Sequence, residues 1–128
     1  MSRVIHFEIH ASQPAALIEF YAGLFGWKFS RWGEIEYWLI DTGAKDQPGI
    51  DGGLVRRRGD RPPAAQAVGS FVCTVQVDSL DASLARSTEL GAGVALPRMA
   101  VPGVGWLAYI TDPDGNLLGM MEPDTNAA

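Results

Sequence analysis

From Val4 to His10 apolar and polar residues alternate one by one, so that Ile5, Phe7 and Ile9 fall on one side of an extended chain and His6, Glu8 and His10 on the other. That period predicts a half-buried strand whose second face is unusually polar. Ser12 and Pro14 then supply a cap and a first helical residue. Leu17, Phe20, Tyr21 and Leu24 recur at helical spacing, and Gly26 is the stop. Trp27 to Trp32, Tyr37 to Asp41 and Ile50 to Arg56 read as three strands, separated by turn residues that include Gly33, Gly43, Pro48 and Gly49.

The same order returns further on. Phe71, Cys73, Val75 and Val77 form an apolar face alternating with Val72, Thr74 and Gln76, which predicts another strand with one side on a core. Asp78 or Ser79 opens a helix through Leu80, Leu84 and Leu90 that Gly91 ends, as Gly26 ended the first. Val94 to Pro97, Trp106 to Thr111 and Leu117 to Met121 complete a second set of strands, the last two joined by the turn Asp112-Pro113-Asp114-Gly115-Asn116.

The chain is therefore a tandem βαβββ repeat of about 65 residues per copy, an α+β fold. Residues 1–57 form the first module, 58–69 a linker, 70–122 the second module and 123–128 a tail, all within one domain spanning 1–128. A sheet with a helix on one face leaves its other face in need of a partner. Two such halves facing one another are expected to enclose a cavity for a small organic molecule.

Composition narrows the partners. A formal charge of −5 argues against nucleic acid, whose binding rests on clustered Lys and Arg. Arg56, Arg57, Arg58 and Arg61 are a local exception, read as a solvated linker in preference to an anion site. Cys73 is the only cysteine, which excludes an internal disulfide and a Cys-based zinc cluster and points to a reducing, cytoplasmic setting. No apolar run approaches membrane-spanning length, so no membrane partner is expected.

The repeat, the helix ending in Leu24-Phe25-Gly26-Trp27 and the Asp112 to Asn116 hairpin together resemble the vicinal oxygen chelate superfamily, which includes glyoxalase I, extradiol dioxygenases, and bleomycin and fosfomycin resistance proteins. The resemblance covers nearly the whole chain. It implies a cup-shaped mixed sheet in each half with the helices outside, commonly a homodimer, and in catalytic members a divalent metal held by a histidine on each first strand and a glutamate on each last strand. Imidazole and carboxylate donors suit Zn, Ni, Fe or Mn.

Carried over position by position, His6 matches the first histidine, whereas Val72, Gly53 and Gly119 stand where the other three ligands would be. One histidine does not hold a catalytic metal. The two glycines read equally as a cavity floor cleared for a ligand or as relief of a bend. Trp38 and Tyr109, with Ile40 and Leu107 beside them, are expected to line the cup, and Val72, Thr74 and His10 to contribute to its wall. Trp27 and Trp32 are assigned to core or interface. Met120 and Leu118 are expected beneath the second helix, with Met121 toward the cavity.

His6 and Glu8 have the chemistry of an acid–base pair, a histidine beside a carboxylate. The expectation is thus a protein that binds a small organic ligand and has largely lost the usual metal site. The alternative is a lyase, isomerase or dioxygenase with an unconventional metal at His6, or a metal-free acid–base site at His6 and Glu8. No cofactor is assigned, a divalent metal being retained only with the alternative.

Overall fold

The computed structural model describes residues 3–63 and 72–128. Phe71 and residues 64–69 of the expected linker lie outside the described residues. The chain divides into two compact units, Met1–Arg61 and Pro62–Ala128. Each contains one open four-stranded mixed sheet and one helix, an α+β architecture.

In the N-terminal unit the elements are β1 (Phe7–Ala11), α1 (Pro14–Phe25), β2 (Lys28–Arg31), β3 (Tyr37–Asp41) and β4 (Gly52–Arg56). Their order in the sheet is β1-β4-β3-β2, with β1 parallel to β4 and the remaining pairs antiparallel. Helix α1 turns Leu17, Phe20 and Tyr21 inward, and the covered sheet face holds Ala11, Ile40 and Leu54, all buried. Trp27 joins this core by stacking on Tyr21 with ring centroids 5.4 Å apart. Trp32 does not: it is 58% exposed.

The helix starts differently from expectation. Gln13, not Ser12, occupies the cap position and makes no side-chain cap bond; Pro14 opens the first turn with its fixed φ. The Ser12 hydroxyl instead accepts from Arg57 Nε at 3.3 Å. Gly26 closes the helix in the left-handed conformation, φ 72°, donating its N–H to the Ala22 carbonyl.

Arg56 and Arg57 act as fasteners between strands. Arg56 grips both carboxylate oxygens of Glu36 at 2.6 and 3.2 Å and donates to the Ser12 carbonyl at 2.8 Å. Arg57 donates to the His10 carbonyl at 2.9 Å. These bonds tie the end of β4 to the ends of β1 and β3, so the two guanidinium groups are engaged within the fold.

The C-terminal unit repeats the plan with β5 (Thr74–Gln76), α2 (Leu80–Glu89), β6 (Gly93–Val101), β7 (Gly105–Thr111) and β8 (Leu117–Pro123), in the order β5-β8-β7-β6. Ser79 caps α2 by accepting from the Ala82 N–H at 3.2 Å, and Glu122 Oε1 takes the Leu80 N–H at 2.7 Å. Leu80, Ala108, Ile110, Leu118 and Met120 form the core. Strand β6 runs longer than the pattern Val94 to Pro97 suggested. It is an edge strand, and its register shifts around Leu96 absorb Pro97 without ending the pairing.

Between β7 and β8 the Asp112 carboxylate accepts from the Asp114 and Asn116 N–H groups and from Asn116 Nδ2, each at 2.9 Å. Among the described residues no helix is long and apolar enough to cross a membrane.

Candidate functional site

The sheet register decides which residues share the uncovered face of each unit. Glu8 pairs with Gly53 and His10 with Val55, while Gly53 pairs with Leu39 and Val55 with Tyr37. Paired residues project to the same side. The face away from α1 therefore carries Glu8, His10, Tyr37 and Leu39.

Its centre is polar. Tyr37 donates its hydroxyl hydrogen to Glu8 Oε2 at 3.3 Å, and His6 Nε2 lies 3.1 Å from the same tyrosine oxygen. Glu8 Oε2 is 3.9 Å from His6 Nε2, and Glu8 Oε1 is 3.7 Å from His10 Nε2. The side chains of His6, Glu8 and His10 are 46, 43 and 52% exposed. An apolar rim adjoins them: Leu39 is 44% exposed, and Trp32 lies edge-on to Tyr37 with centroids 6.2 Å apart. Partial burial, the Glu8 charge and the hydrogen bond to Glu8, in that order, raise the Tyr37 pKa, so the hydroxyl keeps its proton at neutral pH.

Two expected lining residues fall elsewhere. Trp38 pairs with Leu54 and Ile40 with Gly52, which puts both on the face covered by α1; Ile40 is only 1% exposed. Trp38 instead carries the Arg31 guanidinium 5.2 Å from its ring centre. Tyr37-Trp38-Leu39-Ile40 is bulky throughout, so period-2 reading has no polar position to fix its phase, and a shift of one residue exchanges the two faces. Tyr37 was missed for this reason. Its one sequence signal was Glu36 opposite Arg56, an ion pair that places Glu36 with Leu54 and hence Tyr37 with Gly53.

The glycines also have a different occupant from the ligand imagined for them. A Cβ at Gly53 would run into the Tyr37 ring and hydroxyl, and a Cβ at Gly119 would sit 2.7 Å from Thr74 Oγ1 and 2.8 Å from Tyr109 Cε1. In both units a tyrosine of the neighbouring strand lies over the last-strand glycine. The room left by the missing side chain is filled from within the sheet.

In the C-terminal unit strand pairing groups several residues on one face. Tyr109 and Thr74 both pair with Gly119, and Leu107 pairs with Met121, which places these residues on the face away from α2. Val72 precedes β5 and is partly exposed.

The donors present decide whether a metal centre can form. Among the described residues no group of three or more His, Cys, Asp or Glu side chains is arranged to hold an ion. Val72 and Gly119 offer no donor atom, and a carboxylate at position 53 would collide with Tyr37. The residues do not fit the four-ligand set that the resemblance implies.

Two open mixed sheets, each covered by one helix and built from repeated βαβββ order, define the class. The family model of a glyoxalase-like domain matches residues 6–120, and the chain belongs to that family. A glyoxalase/bleomycin resistance protein/dioxygenase family enzyme from Burkholderia phytofirmans PsJN superimposes with TM-score 0.72 at 16% identity, over 96% of this chain and 100% of that one. TnmS3, an antibiotic binding protein from Streptomyces sp. CB03234, gives 0.68 at 23% identity over 97 and 98%. The fosfomycin resistance protein FosX from Listeria monocytogenes gives 0.70 at 16% identity over 97 and 95%. At these identities the likeness is one of fold. No curated protein sequence matches the chain.

Proposed function

We propose that this glyoxalase-like protein binds a small organic molecule on its open sheet faces, with the family's usual metal site largely lost. One observation carries the reading. Half-exposed His6, Glu8 and Tyr37 form a hydrogen-bonded polar centre beside exposed Trp32 and Leu39, while Gly53, Val72 and Gly119 supply none of the remaining metal donors. A few convergent polar groups beside apolar and aromatic surface suit an organic ligand. Thr74, Leu107 and Tyr109 extend the same composition to the C-terminal unit. The antibiotic-binding description of TnmS3 supports the class of ligand.

A second reading is favoured by the contact of His6 and Glu8 through Tyr37: proton transfer on the bound molecule, as in a lyase or isomerase, with His6 and Glu8 as the acid–base pair. A homodimer in the cytoplasm belongs to the same proposal, the location resting on the lone Cys73.

The test is a screen of small aromatic and heterocyclic compounds by thermal shift, with the hits mapped by NMR, and metal analysis of protein purified without chelator. Hits that perturb Glu8, Tyr37 or Tyr109 are expected, with metal well below one equivalent. Stoichiometric metal that disappears in His6→Ala would overturn the metal-free reading. Hits confined to the helical faces would overturn the site.

A further inference from the structure

The geometry points to a site that selects ligands by a hydrogen they can donate: Tyr37, held by Glu8, fixes His6 with its proton on Nε2 and leaves Nδ1 as an exposed acceptor for the hydroxyl or N–H of a bound phenol-like molecule. This deepens the binding proposal above and rests on it.

The proton count sets the direction. The tyrosine hydroxyl has one hydrogen and faces two candidates, Glu8 Oε2 at 3.3 Å and His6 Nε2 at 3.1 Å. A carboxylate has no hydrogen to give, and as an ionised acceptor it outcompetes a neutral imidazole nitrogen. The hydrogen therefore goes to Glu8, and the tyrosine oxygen is left to accept. His6 Nε2 must then be the donor. A Glu8 oxygen also lies 3.9 Å from the same nitrogen.

In neutral imidazole one nitrogen carries the hydrogen and the other a lone pair, so Nδ1 becomes the acceptor. Among the described residues Nδ1 has no hydrogen-bond partner, and the side chain is 46% exposed. The Tyr37 ring and hydroxyl occupy the space over Gly53 that a side chain there would take. The arrangement therefore presents a carboxylate and an oriented lone pair, both acceptors, next to the exposed Trp32 and Leu39. A ligand with an apolar ring and a donor group complements it; one with only acceptors leaves Nδ1 unpaired.

The assignment is tested on the full chain by 15N-edited NMR of the histidine side chains at a pH where His6 is neutral. His6 is expected as the Nε2–H tautomer. In Glu8→Ala the tyrosine hydrogen is released to His6 Nε2, so a substantial Nδ1–H population should appear, and Glu8→Ala combined with Tyr37→Phe should remove it again. A purely structural role for Glu8 would leave the tautomer unmoved. An Nδ1–H tautomer in the unmodified protein, or no change in Glu8→Ala, overturns the inference.

Phenol and anisole, alike in ring and nearly alike in size, then probe selection. Phenol should shift the His6 resonances saturably and bind about tenfold more tightly than anisole, the worth of one hydrogen bond. Equal affinities, or no saturable response to phenol, overturn donor selection. If screen hits still map to the same face, that failure leaves the broader binding proposal standing.

Discussion

Tyr37 shapes the N-terminal open face twice, by its ring and by its hydroxyl, and the two contributions separate by substitution. Tyr37→Phe keeps the ring over Gly53 and removes two exposed hydrogen bonds, those with Glu8 and His6, so stability should change by no more than about 1 kcal/mol in urea unfolding. Gly53→Ala places a methyl against that ring and should cost about 1–3 kcal/mol. Combining Gly53→Ala with Tyr37→Ala should cost clearly less than the two single effects added, which a double-mutant cycle reads directly.

The hydroxyl also sets a pH dependence. Because the folded protein holds the Tyr37 proton more tightly than the unfolded chain, its contribution to stability is fully present below the ordinary tyrosine pKa near 10 and is lost as pH rises through the higher folded value. Absorbance titration should show one tyrosine ionising late, and Tyr37→Phe should abolish that phase. His6, Glu8 and His10 were legible in the sequence because β1 alternates cleanly. Tyr37 was not, since every residue from 37 to 40 is bulky and the phase of β3 comes from pairing with β4.

Elements were legible where local chemistry alone specifies them. Both helices, their glycine stops and the turn from Asp112 to Asn116 follow from capping and turn residues that act within a few positions. Ser79→Ala should therefore destabilise the protein by about 1 kcal/mol through loss of the α2 cap, measured by denaturant unfolding. Ser12→Ala should leave the start of α1 in place, since Gln13 and not Ser12 occupies the cap position and the Ser12 hydroxyl accepts from Arg57 at 3.3 Å, which helix content by circular dichroism checks. The two serines looked alike in sequence. Strand lengths were less readable: β6 extends to Val101 past Pro97 because pairing with β7 outweighs the local break.

At the scale of the molecule, the tandem βαβββ order was readable because duplication repeats a whole sequence of local signals, and the family assignment agrees with it. What each open face meets was not readable, because such contacts lie outside any local pattern. A ligand that binds only the folded protein should raise the unfolding free energy by about 2.7 kcal/mol at a hundred times its Kd. A screen hit that binds there should show that concentration dependence in thermal unfolding, and the gain should shrink in Glu8→Ala.

The tyrosine lying across the last-strand glycine carries an evolutionary consequence. An acidic side chain at position 53 and an aromatic one at position 37 exclude each other, so a carboxylate at 53 meets a clash unless Tyr37 changes too, and a change at 37 alone leaves an unfilled gap. A descendant of this chain would need both changes together to carry a carboxylate there without strain.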